Sequence, residues 1–419
     1  MEVTVWHSSE QFGQYIIDKT VLSGMNPKLN KLYESDANNP NNFHALPDHI
    51  KQILYLDAPD IIVEIDSEPV FSIEISTEAG TGHNSFQRFA RLAASVENGV
   101  PAIYIYPEAA IIGRESKSTG VKQYKWDKIN PAIFKAMEDV MSIHGVPALF
   151  FYYPSDCRIY PNDPELSPNF INNNKGLKRD STYISCPDSS DVEMQNMFAI
   201  IDDVLSCASR TTPAQARNQL LAIPSVRARK TYMQSEFFNC SGTASVETMS
   251  PLTSTTLVDT AYLLKYLSRY ESTDYSIGGL LRSRKETLIY HVNAIYRGDP
   301  YPGCLAAIDY MSTRNGKTFE DRKYNLVLAW GSITLNDIDK SIDLHGRSSI
   351  DEMISDVKAS EERRNILKRS YSELSGSEIP RYYMQMRYGS TFSKNKQVRV
   401  FSYFADAILF KDGALWRDG

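Results

Sequence analysis

In the stretch PDIIVEIDSEPVFSIEIST, residues 59–77, Asp60, Glu64 and Glu74 stand where a strand ordinarily carries valine or threonine. Strand side chains alternate faces with a period of two. Over 60–66 this groups Asp60, Ile62, Glu64 and Asp66 against Ile61, Val63 and Ile65. Over 70–76 it groups Ser72, Glu74 and Ser76 against Phe71, Ile73 and Ile75. The intervening DSEP reads as a turn, so a hairpin is expected with an aliphatic side and a carboxylate side. Clustered carboxylates repel one another, and a hard divalent cation offsets that cost. Mg²⁺ takes oxygen from one or two carboxylates and fills its shell with water and phosphate. An ion so held can activate water and stabilise charge on a phosphodiester.

The elements that must position these acids read as α/β. SSEQFGQYIIDKTV predicts a helix capped by Ser8 or Ser9, and LPDHIKQILYL a short one with Pro47 at its start. After the hairpin, Phe86, Phe89, Ala90, Ala93 and Val96 recur at helical spacing, with Gly99 at the C-cap position. VPAIYIYP then reads as a buried strand. The pattern repeats: NPAIFKAMEDVMSIHG predicts a helix from Asn130 to Gly145, followed by the strand VPALFFYYP. Two helix-then-strand units on one sheet follow, with FSIEIS and AIYIY as parallel neighbours. Residues 156–190, rich in Pro, Asn, Asp and Ser, read as a loop and boundary. Beyond them lie helices at 192–210 and 212–223, a helix over LVDTAYLLKYLSRY and two strands joined at Asn315-Gly316. A long amphipathic helix over 348–374 and a closing strand over QVRVFSYFADAILF complete the pattern. The division is therefore a core over 1–155, a boundary over 156–190 and an α+β region over 191–419.

Composition sets the outer limits. The 419 residues are 42% hydrophobic and 23% charged, with five scattered cysteines and no C-x-x-C. That points to a reducing cytoplasmic setting without disulfides or zinc. No apolar run is long enough to span a bilayer, and no signal-peptide core opens the chain. Net charge is −6; residues 1–150 hold 19 acids against 12 bases, and the remainder is near balance. There is no G-x-x-x-x-G-K-[ST], G-x-S-x-G or H-x-x-x-H, so a nucleotide cofactor, a serine hydrolase elbow and a zinc hydrolase helix lack support.

Pro59-Asp60, the hairpin, Glu74-x-Ser76, Gln87 on the next helix and the strand PAIYIYP together resemble the PD-(D/E)XK nuclease superfamily, which includes most restriction enzymes. The resemblance covers about residues 45–108. It implies a restriction-endonuclease-like mixed sheet flanked by helices, with Asp60, Glu74 and the carbonyl of Ile75 holding Mg²⁺ (or Mn²⁺) and Glu64 as an additional ligand. It also implies double-stranded DNA as substrate and a homodimer. The family's lysine falls at Ser76, and no lysine lies between Lys51 and Lys117. Arg88 or His83 is then the local replacement, and Ser76 and Gln87 complete the supporting shell.

Plainer roles compete. Asp60 could start a strand; Glu64 and Asp66 could form a solvated face; His83 could cap its helix; Gln87 and Arg88 could be exposed helix positions. Farther on, Arg314, Asn315, Lys317, Arg322 and Lys323 lie on an expected ribbon that could enter a major groove, or form a solvated turn. Three other functions fit the pattern: a repair or RNA-cleaving nuclease using His44 or His49, a catalytically lost DNA-binding protein, or an unrelated α/β protein.

Overall fold

Short runs of β-branched and aromatic residues build a six-stranded mixed sheet flanked by helices, in a protein of mixed α/β character. The computed structural model describes residues 1–33, 42, 45–54, 58–77, 83–128, 132–142, 144–158, 176–238, 253–267, 281, 283–292, 324–330, 406–410 and 413–416. Residues 1–32, 59–88 and 95–245 form one unit, and residues 33–58, 89–94 and 246–419 a second.

In the first unit, β1 (Val3–His7) leads into α1 (Glu10–Lys19) and β2 (Lys28–Lys31). After α2 (Asp48–Ile53) of the second unit come β3 (Ile61–Ile65), β4 (Glu68–Ile75), α3 (His83–Glu97) and β5 (Ala102–Pro107). A separate ribbon, β6 (Ala109–Glu115) with β7 (Lys122–Lys128), precedes α4 (Ala132–Ser142) and β8 (Ala148–Tyr153). The sheet order is β2-β1-β3-β4-β5-β8. As the repeated helix-then-strand pattern requires, β4, β5 and β8 run parallel. Gly99 ends α3 with φ +74, the left-handed conformation that glycine adopts without strain.

The first unit continues beyond the polar 156–190 segment. Its later helices are α5 (Val192–Arg210), α6 (Pro213–Asn218) and α7 (Pro224–Tyr232). Two side chains close the sheet edge at β8. Glu193 Oε2 accepts the Tyr152 N–H at 3.0 Å, and Arg229 Nε donates to the Phe150 carbonyl at 3.0 Å. Arg229 also grips both Glu193 oxygens, at 3.1 and 2.9 Å. An edge strand that would otherwise offer free backbone groups is thus occupied by a buried ion pair. Asp180 pins the polar segment. Its carboxylate accepts from the N–H groups of Thr182 (2.9 Å) and Tyr183 (3.0 Å) and from Ser189 Oγ (2.5 Å), with Lys19 of α1 at 3.6 Å.

The second unit contains β9 (Thr253–Asp259), α8 (Thr260–Leu267), β10 (Glu286–Val292), β11 (Asn325–Trp330), β12 (Ala407–Phe410) and β13 (Gly413–Trp416). The sheet order is β13-β12-β11-β10-β9. The helix read over LVDTAYLLKYLSRY begins only at Thr260. Residues Leu257–Asp259 extend the β-branched run TSTT as strand, and Asp259 Oδ1 accepts the Ala261 N–H at 2.8 Å, as an N-cap does. The ribbon residues Arg314, Asn315, Lys317, Arg322 and Lys323, and the helix read over 348–374, lie outside the described residues. Among the described residues no helix is long and apolar enough to cross a membrane.

Glu193→Gln removes the partner of a buried guanidinium, and a loss of about 3 kcal/mol is expected in urea unfolding. Asp180 carries a pH signature. Burial alone would push its carboxyl up, but Ser189, the Tyr183 and Thr182 N–H groups and the Lys19 charge outweigh that and hold it at about 2. Because the folded value lies below the unfolded one of ~3.9, the added stability is complete above the unfolded value and vanishes as pH falls through the folded one. Asp180→Asn should be less stable by roughly 2 kcal/mol near neutral pH, and the gap to wild type should close between about pH 4 and pH 2.

Candidate active site

The β3–β4 hairpin turns through Asp66 and Ser67, both with positive φ (50° and 67°), the mark of a tight two-residue turn. Next to the turn, Ile65 pairs with Glu68 and Glu64 with Pro69. Continued without interruption, that register would set Asp60 opposite Ile73 and leave Glu74 on the other face. Instead the register shifts between Val63 and Glu64, so that Val63 meets Phe71, Ile62 meets Ser72 and Ile61 meets Ile73. Val70 is the extra residue of this bulge. A one-residue shift exchanges the faces of everything beyond it. Pairing ends at Ile61, and the same register carried one residue further would bring Asp60 level with Glu74.

Asp60 is held from two sides. Its Oδ1 accepts from Ser8 Oγ at 2.8 Å and its Oδ2 from the Ile75 N–H at 2.9 Å. The Ser8 N–H also donates to the Asp60 carbonyl at 2.8 Å, so the segment after β1 and the end of β4 both orient the residue. Glu74 is fully buried, beside Tyr104 in the next strand, and Tyr104 belongs to an aromatic cluster with Tyr106, Phe134 and Phe150. Arg88 of α3 brings its Nε to 3.4 Å from Glu74 Oε1, with the Arg88 side chain 26% exposed.

A second contact ties the same strand to the same helix. Ser72 Oγ donates to Ser95 Oγ at 2.8 Å, and Ser95 Oγ donates to the Val100 carbonyl at 3.1 Å. Positions 72 and 74 share a strand face, while 88 and 95, two turns apart, share a helix face. The crossover helix runs back along β4, so the later strand residue meets the earlier helix residue. Glu74–Arg88 and Ser72–Ser95 are two rungs of one strand–helix contact.

The remaining expected site residues divide. Ser76 follows β4, is buried and donates its N–H to the Ile105 carbonyl at 2.9 Å. Ile75 gives its N–H to Asp60. Glu64 is not brought to this point. It lies four residues along β3, roughly 13 Å away, buried opposite Thr4 and Pro69. His83 and Gln87 occupy the first turns of α3, and their side chains fall outside the described set, as does His44; His49 lies in α2 of the second unit. Among the described residues no group of three or more His, Cys, Asp or Glu could hold a metal ion. The centre therefore offers two carboxylates and an arginine, and Mg²⁺ sites ordinarily use one or two carboxylates with waters and phosphate.

Ser8 was not among the expected site residues. Its partner lies 52 positions away, and the only sequence signal was its place beside the α1 N-cap.

Arg88→Met leaves a buried carboxylate with its cation removed, and urea unfolding should show a loss of roughly 2–3 kcal/mol. Adding Glu74→Gln should restore a large part of that loss, so the double-mutant cycle should give a clear coupling energy. Strict additivity would mean that the two side chains do not interact. No family model, no curated protein and no solved structure matches the chain.

Proposed function

We propose that the protein is a divalent-metal-dependent nuclease cutting double-stranded DNA, with a restriction-endonuclease-like core of the PD-(D/E)XK kind. One observation carries this: Asp60 accepts the N–H of Ile75, the neighbour of Glu74, and Arg88 pairs with Glu74, while Ser76 stands at the position of the family's lysine. The centre lies at the carboxyl end of β4, beside parallel β5, the edge at which α/β sheets commonly bind ligands.

Asp60 and Glu74 would hold Mg²⁺, with Mn²⁺ as a substitute and the Ile75 backbone beside them. Such an ion supplies an activated water and takes up negative charge on the phosphorane-like transition state. The protein's own groups position and neutralise. Ser8 and the Ile75 N–H fix the Asp60 carboxylate before substrate arrives, which lowers the cost of ordering it. The Arg88 guanidinium presents a fork of donors suited to phosphate. From Glu74 it can stabilise a phosphate oxygen at the same centre, a task the small Ser76 hydroxyl cannot perform. Cutting both strands of a duplex calls for two copies about a two-fold axis. The setting would be cytoplasmic, where Cys157, Cys186 and Cys207 stay as free thiols.

Ser76 itself favours a second reading, a DNA-binding protein on this fold that has lost catalysis. Incubation of plasmid DNA with Mg²⁺ or Mn²⁺ separates the two. The nuclease should give discrete fragments, and Glu74→Gln or Asp60→Asn should slow cutting more than about a hundred-fold. Arg88→Lys, which keeps the charge and loses the fork, should retain more activity than Arg88→Met. Duplex binding without cutting in either metal would leave the binding protein, and RNA-only degradation would leave an RNA-cleaving enzyme.

A further inference from the structure

Between β5 and α4 the chain makes an excursion that joins neither sheet. Among the described residues strands β6 and β7, seven residues each, pair only with each other, and a turn over 116–121 closes them. One face of the ribbon is anchored. Ala109, Ile111 and Trp126 form a buried cluster with Cys157, and Tyr124 packs against it. Gly176, at φ +75, lies so close that a Cβ there would clash with the Trp126 ring and meet Ile111 Cδ1 at 3.2 Å. The register pairs Ile111 with Trp126 and Gly113 with Tyr124 on that face.

The charge is as uneven as the packing. Residues 109–128 contain Arg114, Lys117, Lys122, Lys125 and Lys128 against Glu115 and Asp127, an excess of three positive charges in a chain of net charge −6. Lys117 is exposed at the turn. The ribbon also starts at the right place. Ile105 of β5 pairs with Ile75, and β5 ends at Pro107, so the ribbon leaves the sheet at the edge where Asp60 and Glu74 lie. Seven extended residues reach about 24 Å, several phosphate spacings along a duplex.

We propose that the β6–β7 ribbon is an arm that binds the phosphate backbone of double-stranded DNA beside the Asp60–Glu74 centre. Duplex DNA is chosen as the ligand because of the hydrolytic reading of that centre, on which this proposal rests. A two-stranded ribbon is also narrow enough to follow a major groove, where lysines and arginine reach phosphates on either wall.

The test uses the full chain and a short labelled DNA duplex, with Ca²⁺ replacing Mg²⁺ to hold off hydrolysis, and follows anisotropy through a salt titration. Wild type should bind, and a triple variant (Arg114→Gln, Lys117→Gln, Lys125→Gln) should bind at least about ten-fold more weakly. Its log affinity against log salt should flatten by about 0.9 for each phosphate no longer neutralised. Lys117→Glu, at an exposed turn position, should also weaken binding while melting at the wild-type temperature, which separates an effect on DNA binding from an effect on folding. Unchanged affinity and slope in both variants would overturn the arm, as would a wild type that ignores the duplex or prefers single-stranded RNA. Glu74→Gln distinguishes the two proposals. Ribbon-dependent binding by a protein that never cuts removes the hydrolytic centre and keeps the arm. Cutting that depends on Glu74, with binding indifferent to the ribbon, does the reverse.

Discussion

In the β3–β4 hairpin the register at the turn and the register at the open end differ by one residue, and the face that Glu74 occupies depends on that difference. Strand pairing alternates faces strictly, so an even hairpin from the Asp66-Ser67 turn would have put Asp60 and Glu74 on opposite sides of the sheet. The bulge at Val70 has a local cause. Pro69 has no N–H to give to the ladder, and proline in a sheet is tolerated at bulges and edges. Helix α6 then holds the irregular segment: the Ala214 N–H donates to Glu68 Oε2 at 3.2 Å, and Arg217 donates to the Pro69 carbonyl. A feature near the turn thus decides the chemistry at the far end of the hairpin.

Two buried ion pairs in the first unit show how similar side chains reach different ends. Arg229 is almost fully buried, satisfied by Phe150 and both Glu193 oxygens, and lies over the Phe151 ring at 4.1 Å. Its donors are spent on closing a strand edge, which is a structural task. Arg88 meets an equally buried carboxylate but its side chain remains a quarter exposed. A charge paired yet reachable can act on an incoming anion, whereas one enclosed by protein cannot. The Ser72–Ser95 rung keeps α3 in register with β4 and fixes where Arg88 can stand.

Periodicity made much of this legible. The aliphatic stripe of the hairpin, the helical spacing of α3, the Gly99 cap and the repeated helix-then-strand units each express a local rule, and each is found where the rule put it. What escaped is long-range or irregular. Nothing in VTVWH says that it pairs with residues 61–65, and nothing near Asp60 names Ser8. Glu64 shares the acid face by alternation, yet distance along the strand removes it from the centre. The β6–β7 ribbon carried a usable signal, an S-T-G turn between two alternating runs, but its lysines resemble any solvated surface until the anchored face is seen. For β9 and α8 the apolar spacing of LVDTAYLLKYL suited a helix throughout, and the β-branched residues just before it decided where the strand ends.

The two carboxylates at the centre differ in a way that sets the direction of approach. Asp60 sits partly exposed at the start of β3, with each oxygen already oriented by a hydrogen bond it accepts. Glu74 is buried, walled by Tyr104 on the β5 side. On the proposed reading a ligand would approach from Asp60, the more exposed of the two carboxylates. A water-poor floor strengthens every charge interaction above it, and a preset rim spares the ordering of the first ligand to arrive. On the proposed reading, burial at Glu74 and exposure at Asp60 would be complementary parts of one cation-binding geometry.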